Sequence, residues 1–307
     1  MQDLIREVSR VVNNTLSKTS IKPLLENAVP FSENNFREIV PALGKLSFVD
    51  GGNCEILSGL HFSVQFCRIA HVTYEDNKLV DSSREEFFVL VETVQDLGDI
   101  GFKVSVFRED GKDFAIPVIA SSDPFLTSKD RRVSASRVVG VVRRICEIRK
   151  AKELSGKVVL DGNLQAEHPL VRKELDDSLY ALSKTCEIFT DAGDALTVAL
   201  EKMAPYSTYA YYPLAEGLQM SMVKLHEKST YVFKVEGGID IIPLLASHAR
   251  DPVFLGYPYG LVQADKLARV TNEEKRYLEL RFKHTLDEDN LTQHLNTVNA
   301  HDVLDTI

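Results

Sequence analysis

The stretch KLSFVDGGNCEI, residues 45 to 56, ends an apolar run of strand-forming residues in an acid, Asp50, with two glycines behind it. KVVLDGNLQ, residues 157 to 165, repeats the arrangement, because Val158, Val159 and Leu160 run straight into Asp161 and Gly162. One Asp-Gly after a strand is an ordinary turn signal. Two of them need a further reason, and the segments around them supply it.

Leu60, Phe62, Val64 and Phe66 alternate with His61, Ser63, Gln65 and Cys67, which gives a second strand. Glu86 to Thr93 and Phe102 to Phe107 give further strands, with turns expected at Gly51-Gly52 and around Glu75 to Lys78. From Lys129 to Leu154 the only strong breaker is Gly140, and Val138, Val141, Val142 and Ile145 recur at helical spacing, so one long helix is expected there. A strand at Val158 to Leu160 follows. Then come a helix ending near Asp177, a strand at 179–183, a helix at 193–203, strands at 218–225 and 231–235, and a mostly helical remainder. Thr271 with Glu274 forms a capping box for a helix over 272–283. At the other end Leu4, Ile5, Val8, Val11, Val12 and Leu16 make residues 1–17 an amphipathic helix.

Antiparallel strands, a long helix, a strand ending in an acid, then alternating helices and strands is the order of an α/β, RNase H-like (PIWI-like) mixed sheet flanked by helices. A helical extension is expected over residues 1–40, with the core over 41–307 and a second helical extension at its C-terminal end. In such a fold, two-metal phosphoryl-transfer sites take one acid from the first strand, one from the long helix and one from the end of the fourth strand. Two divalent cations about 4 Å apart need shared carboxylates, so that one activates water and the other stabilises the leaving oxygen. Asp50 and Asp161 occupy the strand positions. A haloacid-dehalogenase type of site would need a second Asp two residues on, where Gly52 and Asn163 stand.

The 307 residues are 44% hydrophobic and 26% charged, ordinary globular composition. The net charge of -9 excludes coating of nucleic acid by bulk attraction, so any phosphate-binding surface has to be local or completed by a partner. Cys54, Cys67, Cys146 and Cys186 form no C-x-x-C pair and suggest neither a zinc site nor a disulfide framework. No apolar run reaches the roughly 18 residues of a membrane span, and Asp3, Arg6, Glu7 and Arg10 interrupt the N-terminal apolar pattern. A cytoplasmic protein with no membrane contact is expected. No G-x-x-x-x-G-K-[ST] loop is present, so any ATP-driven motor must be a partner.

The motifs FVDGGN (48–53), RRICEIRKAKEL (143–154), VVLDGNL (158–164), ALSKT (181–185) and GYPYGLVQADKLARV (256–270) together resemble the archaeal and bacterial NurA nucleases over most of the chain. The resemblance implies a manganese-dependent (or Mg²⁺-dependent) nuclease with two ions per site. It also implies 5′ to 3′ exonuclease and single-strand endonuclease action in DNA-end resection, by a homodimer coupled to a HerA-like hexameric ATPase. Carried onto these motifs, Asp50, Glu147 and Asp161 are metal ligands, Tyr257 lies near the active site and Lys184 contacts phosphate. Where the family pattern often has a histidine eight residues after that tyrosine, this chain has Asp265, itself a competent hard-metal ligand. Glu147 lies nearly opposite the Val138, Val142, Ile145 stripe, where a solvated glutamate is the plainer reading, and Glu153 is the rival helix acid.

DNA contacts are expected from Lys129, Arg131, Arg132, Arg137, Arg143, Arg144, Arg149 and Lys150, or these form a solvated helix face. The tyrosines of YSTYAYYP, 206–213, suit either base stacking or a strand edge. The competing function is an adaptor without turnover that docks a hexameric ATPase and guides DNA. The apolar residues of the N-terminal helix, with Leu291, Leu295, Val303 and Leu304, point to a homodimer.

Overall fold

The computed structural model describes residues 1–13, 22–59, 61–96, 98–109, 111, 114–127, 133–165 and 168–288. Lys129, Arg131, Arg132, Leu16, Leu291, Leu295, Val303 and Leu304 lie outside them. In chain order the elements are α1 (Gln2–Asn13), β1 (Phe36–Glu38), β2 (Lys45–Gly59), β3 (Phe62–Glu75), β4 (Lys78–Asp96), β5 (Asp99–Arg108), β6 (Ile119–Ala120), α2 (Ala135–Glu153), β7 (Lys157–Asp161), α3 (Pro169–Arg172), β8 (Leu179–Ser183), α4 (Leu196–Met203), β9 (Tyr209–Tyr211), β10 (Met220–Lys224), β11 (Phe233–Glu236), α5 (Ile242–His248), α6 (Tyr259–Ala268) and α7 (Asn272–Glu288).

All eleven strands join one sheet, ordered β1-β9-β10-β11-β8-β7-β2-β3-β4-β5-β6. At its centre β4-β3-β2 is an antiparallel meander, and β7 and β8 run parallel to β2. That is the RNase H-like arrangement, with α2 making the crossover from the meander to β7. Alternation along the central strands splits the core between the two faces. Val49, Val158 and Leu160 pack with Val138, Val142 and Ile145 of α2, whereas Leu46, Phe48 and Val159 pack with Leu245 of α5 and Leu261 of α6. A third cluster joins Leu196 and Leu200 of α4 to Tyr209, Tyr211 and Phe36.

The expected hairpin at 75–78 forms, with Asp76 and Asn77 both at positive φ. The expected turn at Gly51-Gly52 does not. Strand β2 runs on through both glycines to Gly59, paired residue for residue with β3 as far as Glu55 and again from Leu57 after a one-residue bulge at Ile56. These glycines serve close approach: a Cβ on Gly51 would overlap the Glu147 carboxylate, and one on Gly52 would overlap the backbone carbonyl of Ala268 at the end of α6. Because the obstacle at Gly52 is backbone, Gly52→Ala is expected to destabilise the fold by about 3 kcal/mol, the upper end for overpacking. Urea denaturation measures it, and a neutral or stabilising alanine would return Gly52 to the class of turn glycines.

Residue 40 does not bound a purely helical extension, since β1 pairs with β9 at one sheet edge. β1, β6 and β9 are two or three residues long, too short for alternation to register. The helix expected to end near Asp177 is the single turn α3. The capping box is as expected: the Glu274 N–H donates to Thr271 Oγ1 at 3.1 Å and the Thr271 N–H to Glu274 Oε2 at 2.9 Å. Buried Arg68 of β3 anchors the same turn through Glu274, at 2.9 Å, and through the Arg269 carbonyl, also at 2.9 Å. Among the described residues no helix is long and apolar enough to cross a membrane.

Candidate active site

The parallel register places Val49 opposite Leu160, so the next residues along, Asp50 and Asp161, stand side by side where β2 and β7 adjoin. Across them lies α2, which presents Glu147 against Gly51. Glu147 is 2% exposed, although helical periodicity assigns it to solvent. The reason is that α2 is buried around most of its circumference at this level, with Cys146, Ile148 and Ala151 buried as well. The rival Glu153 is exposed and pairs with Lys150. Of the two helix acids, only Glu147 reaches the strand aspartates.

Two further carboxylates beside Asp50 raise the cost of ionising it. Burial pushes the Asp50 carboxyl up from its ordinary 3.8 to about 7, aided by the charges of Glu147 and then Asp161. The Gly51 N–H, donating to Asp50 Oδ1 at 2.8 Å, and the charge of Arg143 pull the other way and lose. Glu147 is compensated differently. Arg143 Nη1 donates to its Oε1 at 2.8 Å and Arg144 Nη1 to its Oε2 at 2.6 Å. The same guanidinium groups hold the backbone beside the two aspartates, Arg143 through the Gly51 carbonyl within β2 and Arg144 through the carbonyls of Asp161 (3.1 Å) and Asn163 (2.6 Å) at the end of β7.

Asp161 has its own cation, Lys184 Nζ at 2.7 Å, which also lies over the Tyr257 ring, 5.4 Å from its centroid. The Tyr257 hydroxyl is buried with no hydrogen-bond partner among the described residues. Burial and then the charges of Asp161, Asp50 and Asp265 push its pKa well above the usual phenol value. Four acids were expected to converge; the charges of Glu147 and Asp161 both bear on Asp50. Asp265, on α6, bears on Tyr257 but is held by Arg269 at 2.6 Å.

Among the described residues no group of three or more His, Cys, Asp or Glu side chains is placed to hold a metal ion. The donor chemistry nevertheless suits a hard divalent cation at Asp50 and Asp161, oxygen ligands beside an excess of negative charge that a cation would relieve. Each contacted oxygen of Glu147 and Asp265 accepts from one arginine nitrogen and keeps a lone pair, so either carboxylate could also face a cation.

The rest of the expected DNA surface is largely committed within the molecule. Arg149 pairs with Glu174 at 2.6 Å and stacks on Phe114, Lys150 pairs with Glu85 at 2.7 Å, and Arg137 donates to the Leu126 carbonyl at 2.6 Å. Tyr209 and Tyr211 are wholly buried against Phe36, so they form core and cannot stack bases. What the sequence did not reveal is a groove of about 670 Å³ opening beside the acids, edged by Lys184, Tyr257 and Asp265 and walled by Tyr231 and Phe254. Its walls come from two loops more than twenty residues apart in sequence, and no local pattern marks them.

No protein-family model and no curated protein matches the chain. Among solved structures the chain is similar to NurA with manganese, at 9% identity over 94% of this chain and 97% of that one, TM-score 0.47. It is similar to a second NurA structure at 9% identity over 90% and 94%, TM-score 0.46. It is also similar to Ciona intestinalis Endonuclease V in complex with a 24mer DNA containing an inosine followed by a ribo-adenosine, at 13% identity over 75% and 90%, TM-score 0.38.

Proposed function

We propose that the protein is a divalent-metal-dependent DNA nuclease that hydrolyses phosphodiester bonds at Asp50, Glu147 and Asp161. The observation that carries this reading is the approach of those three carboxylates where β2 passes the end of β7, with Asp50 pushed up to about 7. Mn²⁺ or Mg²⁺, two ions in the fullest form, would supply Lewis-acid activation of water and stabilisation of the leaving oxygen. Asp50 and Asp161 would hold such ions, and Glu147 and Asp265 could join them. Lys184 offers its ammonium to the phosphate beside Asp161, and the Tyr257 hydroxyl, unpartnered at the same place, can donate to a phosphate oxygen. Arg143 and Arg144 position the backbone beside Asp50 and Asp161 through carbonyls while awaiting an anion.

End-labelled DNA incubated with Mn²⁺ or Mg²⁺ should be cut by the wild type, and Asp161→Asn should cut at least about 100-fold more slowly. Equal rates would remove Asp161 from the site and this reading with it. The finer form of the proposal is 5′ to 3′ exonuclease and single-strand endonuclease action in end resection, by a homodimer that works with a HerA-like hexameric ATPase. The exposed apolar stripe Leu4, Ile5 and Val8 of α1 supports the dimer.

One observation favours a second reading. Both Glu147 oxygens and the Asp265 carboxylate are already neutralised by arginines, as they would be in an adaptor that guides DNA to an ATPase without cutting it. Such an adaptor would stimulate the ATPase and leave labelled DNA intact at every Mn²⁺ concentration.

A further inference from the structure

The groove beside the acids has a composition of its own. Tyr231 is 60% exposed and Phe254 40% exposed, and both line it, as do Lys184 at the acid end and Lys228. The Lys228 ammonium has no side-chain partner among the described residues. The walls are built. Gly256 packs so closely on Ser229 that a Cβ there would overlap the serine side chain, and the Tyr231 N–H donates to Ser229 Oγ at 3.1 Å. Behind the rim, Tyr231 leans on Phe233 (centroids 6.0 Å apart) and Phe233 on Tyr257 (5.4 Å), an aromatic run leading from the rim to the acid site.

Aromatic faces interleaved with ammonium groups match one chemistry: bases that stack, joined by phosphates that pair. Duplex bases are stacked on one another and cannot present their faces to Tyr231 and Phe254 unless they leave the helix. The volume lies in the range of small-ligand sites and admits a nucleotide. A chain of net charge -9 repels DNA at long range, so local capture next to the acids is what a substrate strand would need.

We infer that this groove binds an unpaired DNA strand, stacking bases on Tyr231 and Phe254 and placing their phosphates against Lys228 and Lys184, so that the strand leads into the Asp50–Asp161 site. The inference rests on the nuclease reading for the direction of the strand but not for the binding itself. It assigns Tyr231, Phe254 and Lys228 as the residues that would favour single strands, overhangs and frayed ends over closed duplex in the single-strand action proposed above.

The test is fluorescence anisotropy with the full-length protein and three labelled probes in EDTA, where no cleavage occurs: oligo-dT, an abasic strand of the same length, and a blunt duplex. The wild type should bind oligo-dT in preference to the other two. Tyr231→Ala and Phe254→Ala should each weaken oligo-dT binding about tenfold and the double variant further, while Tyr231→Phe retains it. Binding of the abasic strand and the duplex should change less than twofold. Both side chains are exposed, so an unchanged melting temperature certifies the variants. Unchanged oligo-dT binding in the double variant overturns the inference, as does equal loss on the abasic strand, which would make the effect one of charge alone. Loss of self-association in light scattering with unaltered oligo-dT binding would assign the groove to a second copy of the chain and also overturn it. Groove-dependent binding by a wild type that cuts nothing in Mn²⁺ would end the nuclease reading and leave this one standing.

Discussion

Asp50→Asn is expected to abolish cleavage and, at pH 8 without divalent ions, to make the protein more stable than the wild type by roughly 4 kcal/mol. The sign follows from the proton balance. Folding raises the Asp50 carboxyl from 3.8 to about 7, first through burial and then through Glu147 and Asp161. Between those values the folded protein keeps a proton that the unfolded chain has released, so stability falls as pH rises through the interval, and the full deficit is present above pH 7. Asparagine never ionises and removes the deficit. Its side-chain oxygen can still accept the Gly51 N–H that now serves Asp50. At pH 4 the two proteins should unfold alike; at pH 8 the variant should melt on the order of 5–10 °C higher. Mn²⁺ should raise the wild-type midpoint more than the variant's and so narrow the gap, because the variant keeps Asp161 and Glu147 but has lost the Asp50 charge that the ion would relieve. Thermal unfolding at pH 4, 6 and 8 is sufficient. A wild-type stability with no downward slope between pH 5 and 8 that the variant removes would mean that Asp50 is not strained.

That site was partly legible in the sequence. Asp50 and Asp161 declared themselves because an acid closing an apolar run of strand-forming residues is a local pattern, and parallel pairing of two such strands brings both acids together with no further information. The Thr271–Glu274 capping box was legible for the same reason: its spacing is its mechanism. Glu147 was not. Periodicity reports one apolar face, whereas α2 is enclosed by the sheet and by α3, so its buried arc is wider than the stripe that valines can mark. Gly51 and Gly52 misled because a glycine pair ending a run is ordinarily a turn; here they are strand residues kept small by a side chain nearly one hundred positions later and by a backbone carbonyl more than two hundred positions later. The tyrosines of β9 misled because alternation cannot tell a strand at a sheet edge from one beneath a helix, and α4 covers this one. Each miss involves a partner that only the fold brings near.

The contrast between two acids of the same cluster gives the second large effect. Glu147→Gln should lose cleavage as Asp50→Asn does, yet destabilise the protein by about 3 kcal/mol, the cost of stripping one partner from a buried ion pair. Glu147 is the more buried of the two but has what Asp50 lacks: a guanidinium on each oxygen, from Arg143 and Arg144, the latter itself mostly buried. A glutamine keeps the shape and can accept one of the two bonds. It turns its amide nitrogen toward the other arginine and leaves both cations without a counterion. The loss of one carboxylate also relieves Asp50, whose pKa should move back toward its ordinary value, so the downward pH slope of stability should flatten in the variant while its level at pH 7 falls. Pairing the substitution with Arg144→Met separates these effects. If the ion pair carries the cost, adding Glu147→Gln to an Arg144→Met background should cost clearly less than in the wild type. Urea midpoints with unchanged slopes would establish each step. Should Glu147→Gln instead raise stability, the arginines would be holding backbone carbonyls and not charge, and the three acids would be one repulsive cluster awaiting a cation.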